Sequence, residues 1–127
     1  MQRSEKERLL EEAKCLIRQS ELKEWEKENL NRNIDFFLSH ISKDTYLSQC
    51  KWSWFDEEDD GHGLDLLWDW KDVKGCFGFY TDNGHGFSFD YGENGECFQF
   101  GGEGGDHGFS CCLFIDELET QLSYMGY

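Results

Sequence analysis

From residue 51 to residue 100 the large apolar side chains recur at every second position. Trp52 and Trp54 alternate with Lys51 and Ser53. Leu64, Leu66, Trp68 and Trp70 alternate with Asp65, Leu67 and Asp69. Phe77 and Phe79, then Phe87, Phe89 and Tyr91, then Phe98 and Phe100 repeat the spacing. Successive side chains of a strand point to opposite faces, so this pattern demands a sheet with one buried aromatic face and one wetted face. Asn83-Gly84 and Asn94-Gly95 fall between runs, and both tolerate the positive φ that a two-residue hairpin needs. The expected core is a five-stranded antiparallel β-meander, and a one-sided sheet must be covered by another layer.

The cover is read from the first third of the chain. Ser4 and Glu7 form a capping box, and Leu9, Leu10, Ala13, Leu16 and Ile17 follow at helical spacing. A second stripe runs Leu22, Trp25, Leu30, Ile34, Phe37, Leu38 and Ile41. The two stripes are out of phase across Arg18–Glu21. This predicts either a helical hairpin broken at Ser20, with Ser20 capping the second helix, or one long bent helix. Cys111, Ile115, Leu118, Leu122 and Met125 step by four and three, which predicts a C-terminal amphipathic helix. The fold class is therefore α+β. Residues 1–127 are read as a single domain, with a helical part (1–48) and a glycine- and aromatic-rich acidic part (49–127).

Charge follows the same division. Residues 1–50 carry nine Lys and Arg against ten Asp and Glu, and residues 51–127 carry three against seventeen. The chain as a whole stands at −15. Such a field opposes direct contact with nucleic acid or anionic lipid and favours a partner that is itself basic. No apolar run approaches the length of a membrane span, and the charged N-terminus lacks a signal-peptide core, so a cytoplasmic protein with reduced cysteines is expected.

Several constellations bear on chemistry. His62, His85 and His107 with Cys76, Cys97, Cys111 and Cys112 suggest zinc, but no pair has ligand spacing. Asp56, Glu58, Asp60 and Gly61 match the first half of an EF-hand loop, yet the place of its bidentate glutamate falls on Leu67. No nucleophile motif or phosphate loop is present, so neither enzyme chemistry nor a cofactor is expected. The strongest feature is the run Asp56-Glu57-Glu58-Asp59-Asp60 at one end of the sheet. Asp65 and Asp69 point away from the aromatic face and Asp72 sits in the next turn, so an acidic ladder is expected there. Phe55, Tyr80, Tyr124 and Tyr127 fall off the main apolar stripes and are candidate interface anchors. The tryptophans are assigned mostly to the core.

In size, charge and lack of catalytic motifs the chain is similar to small acidic phage-encoded proteins that block host defence, among them anti-CRISPR proteins and nucleic-acid mimics. No shared motif carries that likeness, so it transfers no residue. The expected function is a non-enzymatic inhibitor that occupies a basic, nucleic-acid-binding surface of another protein. Asp56, Glu57, Glu58, Asp59, Asp60, Asp65, Asp69, Asp72, Phe55 and Tyr80 would make the contact. The alternatives are a bacterial immunity or antitoxin-like protein that neutralises a basic toxin and, behind it, a metal-binding protein. Leu9, Leu10, Leu16, Ile17, Leu22, Trp25 and Leu30 offer more apolar helix surface than one small sheet covers, which predicts a homodimer through the N-terminal helices.

Overall fold

Ser4 starts helix α1, Glu5–Gln19, as the capping pattern requires: its Oγ accepts the Glu7 amide at 3.1 Å. The amides of Glu5 and Lys6 are satisfied from far along the chain. They donate to the two carboxylate oxygens of Asp44 at 2.8 and 2.9 Å. Asp44 opens a single 3-10 turn, Asp44–Leu47, so one side chain caps α1 and pins it to the segment that leads into the sheet. Arg8 adds a second tie. Its guanidinium pairs with Glu5 at 2.7 Å and donates to the carbonyls of Leu47 and Cys50.

The phase slip between the two apolar stripes is resolved as a hairpin of two helices. Ser20 ends α1 rather than starting its successor: its amide and its Oγ both donate to the Ile17 carbonyl. Helix α2, Glu24–His40, starts instead from Lys23, whose amide donates to the Glu26 carboxylate at 3.0 Å. This start sets the phase of α2. Its buried stripe is Leu30, Ile34, Phe37 and Leu38, and one turn before Leu30 the inward position belongs to Glu26. Trp25, expected in the stripe, is therefore 51% exposed.

The computed structural model describes residues 4–57, 61–71, 73–81, 85–91, 96–102, 116 and 118–127, with the backbone alone at 57, 61 and in 85–102. Strands β1 Lys51–Glu57, β2 Gly61–Trp70 and β3 Val73–Tyr80 pair antiparallel, with Trp54 opposite Leu64 and Leu64 opposite Phe79. β4 His85–Tyr91 and β5 Glu96–Gly102 continue the backbone ladder in the order β1-β2-β3-β4-β5. As far as side chains are described, the layer that packs under the helices is three strands wide, not the five expected. The Asn83-Gly84 and Asn94-Gly95 turns lie outside the described residues.

The inward face is the alternating one. Leu64, Leu66, Trp68 and Trp70 of β2 and Val73, Phe77 and Phe79 of β3 are buried against α1 and α2. Phe37 of α2 lies between two strand rings, 4.6 Å from Phe77 and 5.3 Å from Phe79. The Trp52 indole donates to the Leu9 carbonyl of α1 at 2.8 Å. Three of the seven helix residues behind the homodimer expectation, Leu9, Ile17 and Leu30, are fully buried, and Leu10, Leu16 and Leu22 pack against the same core. Only Trp25 of that set stands out in solvent, because the two helices spend their apolar surface on the sheet and on each other.

A C-terminal helix over 118–124 closes one end, with Leu118 and Leu122 in the core. It ends in a Schellman turn: Tyr127 N–H donates to the Leu122 carbonyl, Gly126 N–H to that of Ser123, and Gly126 takes φ 89°. That turn lays the Tyr127 ring against Trp70 at 5.0 Å, and Trp70 in turn meets Tyr46. The Lys71 ammonium sits over both Trp70 and Tyr127. Lys71 holds φ 53° in the tight β2–β3 turn, a strained backbone for a side-chain-bearing residue that these cation–π contacts help offset. Tyr127, a candidate anchor by sequence, is a strut of the fold, whereas Tyr124 is 82% exposed. No helix among the described residues is long and apolar enough to cross a membrane.

Trp68→Ala removes a fully buried indole from this layer and should cost about 3–5 kcal/mol in urea unfolding. Trp25→Ala, on the exposed side of α2, should change stability by less than about 0.5 kcal/mol. Equal effects would contradict the assignment of the two faces.

Candidate interaction site

The acidic run lies between β1 and β2. Asp56 is exposed near the end of β1, and Glu57 is its last residue. Glu58, Asp59 and Asp60 lie outside the described residues, as does Asp72. Register separates the aromatic residues beside the run. Trp54 and Asp56 share the inward face with their partners Leu64 and His62, whereas Phe55 lies on the outward face opposite Gly63, which in turn pairs with Tyr80. The Phe55 and Tyr80 rings meet edge to face, 5.0 Å apart, over that glycine. Only glycine fits between them, because a Cβ at residue 63 would fall 1.9 Å from the Phe79 carbonyl oxygen of the neighbouring strand.

The inward side of this sheet end is incompletely covered. α1 stops at Gln19, and the connection to α2 passes over β1. An open cleft of about 310 Å³ remains, lined by Ser20, Glu21, Leu22, Trp54, Phe55, Asp56 and His62. Trp54 therefore lies on the apolar face yet is 41% exposed. Contrary to expectation it is not in the core, because no helix among the described residues lies above it.

A buried polar joint closes the cleft's inner end. Glu26 is 9% exposed and its Oε2 lies 3.3 Å from His62 Nε2. The Lys23 amide hydrogen bond, above all, holds its carboxyl below the ordinary range against the opposing effect of burial, with help from the Thr81 hydroxyl and His62. Asn29 donates to the Thr81 carbonyl at 3.1 Å, and Thr81 N–H donates to the His62 carbonyl at 3.0 Å. One carboxylate thus caps α2 and fastens it to β2 and β3. Lys23 is not a residue type that marks a helix start, so the capping role of Glu26 has no sequence signal, and neither have its long-range partners.

On the outward face Asp69 is exposed and Asp65 half-buried, but they do not form an unbroken acidic row. Leu67, 41% exposed, stands between them and is paired with Lys51, while Lys74 lies opposite Asp69. Register has brought two of the three cations of the acidic half onto this face, and opposite charges across a strand pair favour each other. At the β1–β2 end the described acid of the run, Asp56, is exposed and lies opposite His62 rather than a lysine.

Of the metal and thiol candidates, His62 and Cys76 have described side chains. His62 is engaged with Glu26. His85 opens β4, while His107, Cys111 and Cys112 lie outside the described residues, as does the side chain of Cys97. Among the described residues no three His, Cys, Asp or Glu side chains converge as metal ligands. The EF-hand pattern falls on an antiparallel strand pair, with Leu67 inside β2. Cys50 is buried, and desolvation pushes its thiol up to about 12. No family model, curated protein or solved structure matches the chain.

Two outcomes follow from these environments. The folded-state pKa of Glu26 lies below the ordinary 4.5, so the ionised carboxylate adds stability above that pH, and the increment is lost as pH falls through the folded value. Glu26→Gln should therefore lower the urea midpoint at neutral pH, and the gap from the wild type should narrow in acid; a gap independent of pH would remove the electrostatic role. Iodoacetamide at about pH 8 should label exposed Cys15 in the folded protein and spare Cys50, as read by peptide mapping. Equal labelling would contradict the buried, protonated thiol.

Proposed function

We propose that this chain is a non-enzymatic acidic binding protein that inhibits another protein by occupying its basic, nucleic-acid-binding surface, in the manner of a phage anti-defence or anti-CRISPR protein. The observation behind this reading is the concentration of charge at one end of the sheet. Five consecutive carboxylates, Asp56 to Asp60, join β1 to β2, beside the exposed Trp54 and the Phe55–Tyr80 pair. Like charges so close together repel, and a basic surface relieves that repulsion on binding. The mixed outward face of β2 and β3 leaves Asp65 and Asp69 a secondary part and makes the β1–β2 end the principal contact.

The test is capture from a bacterial lysate, followed by titration of the captured protein. Changing Asp56, Glu57, Glu58, Asp59 and Asp60 to Asn or Gln should leave the fold intact and slow association by about tenfold or more. Raising salt from about 50 to about 500 mM should weaken the wild type far more than that variant. An oligonucleotide should compete for the same surface. Equal affinity and equal salt dependence for the two forms would reduce the acidic run to a solvated loop.

A further inference from the structure

We infer that the cleft between β1 and the α1–α2 connection receives an arginine side chain from the partner's basic surface. The inference rests on the basic partner proposed above and assigns it a specific anchor.

Three observations converge there. The first is an uncovered indole. Trp54 stands on the face that elsewhere forms the core, yet it is 41% exposed and makes no ring contact among the described residues. A tryptophan face is the best aromatic surface for a cation. The second is size. About 310 Å³ is at the small end of binding cavities and suits one long side chain rather than a nucleotide or a helix. The third is the sign of the rim. Glu21 and Asp56 are both exposed at its edge, no Lys or Arg lines it among the described residues, and the remaining acids of the β1–β2 run follow Asp56 directly in the chain. His62, the only lining residue that can become a cation, points its Nε2 at Glu26.

An indole floor with carboxylates at the edge matches a guanidinium better than an ammonium. The guanidinium is planar and weakly hydrated, so it stacks on the ring while its edge donates two parallel hydrogen bonds to a carboxylate. An ammonium satisfies the charge alone. An apolar side chain would fill the cleft but leave Glu21 and Asp56 unused.

The probe is a capped hexapeptide of alternating arginine and glycine, compared with its lysine and citrulline counterparts. Binding is followed through the tryptophan indole and His62 resonances of the intact protein. The arginine peptide should shift the Trp54 indole saturably and bind at least about fivefold more tightly than the lysine peptide, and the citrulline peptide should not bind. Trp54→Ala should weaken the arginine peptide about tenfold, Trp54→Phe less, and Trp25→Ala not at all. Thermal melts confirm that each variant is folded, and Trp54→Phe keeps the test valid should the alanine variant unfold. Equal binding of arginine and lysine peptides, or shifts confined to residues 57–60, would overturn the cleft in favour of charge alone. An indole shift that appears on raising protein concentration without peptide would overturn it in favour of a second copy. The two readings fail separately. Partner capture that survives Trp54→Ala removes the arginine anchor and leaves the acidic surface. Capture that survives neutralisation of residues 57–60 removes the acidic surface and leaves Trp54 to be judged by the peptide.

Discussion

The structure depends on hiding one face of β2 and β3. Seven large apolar side chains on those two strands, from Leu64 to Phe79, cannot be left in water, and a sheet cannot cover itself. At roughly 1.5–3 kcal/mol for each large side chain buried, this face supplies a large favourable term. The helices answer that demand. α1 contributes Leu9, Ala13 and Ile17, and α2 contributes Leu30, Ile34, Phe37 and Leu38. Phe37 packs against the two phenylalanines of β3, Phe77 and Phe79, and so ties α2 to that strand.

Carboxylates then decide where the helices begin. Asp44 satisfies two amides of α1 from a position nearly forty residues away, and Glu26 satisfies the first amide of α2 while reaching His62 and Thr81 of the sheet. In a chain of charge −15, most acids only add repulsion. These two are spent at helix N-termini, where the exposed amides and the helix dipole favour negative charge. Each joins a helix end to another element, so the caps also register the layers.

The same economy shapes the candidate site. Where α1 ends and its connection to α2 begins, no helix among the described residues covers this end of β1, and Trp54 is left open beside Asp56. An aromatic floor and an acidic edge therefore come together at the margin of the core. On the opposite face, register sets Lys51 and Lys74 beside Leu67 and Asp69 and makes that surface mixed. The contrast between the two faces of one sheet is a consequence of strand pairing, since each one-residue step moves a side chain to the other side.

Much of this could be read directly from the residues. Period-two alternation identified the strands and their buried face, and the phase slip at Arg18–Glu21 identified a break between two helical stripes. Both are local signals, carried by residues a few positions apart. Ser20 closes α1 rather than opening α2 because a serine can do either, and only the competing start at Lys23 and Glu26 decides between them. Trp25 and Trp54 have the apolarity and spacing of core residues, which is all that a sequence shows, yet both are exposed. Whether a layer lies above a given position depends on where a distant helix stops. The acidic run was legible as composition. Its place next to an open indole, the breaking of the outward row by Lys51 and Lys74, and the capping of α1 by Asp44 are long-range consequences of strand register and helix packing, which tertiary structure alone decides.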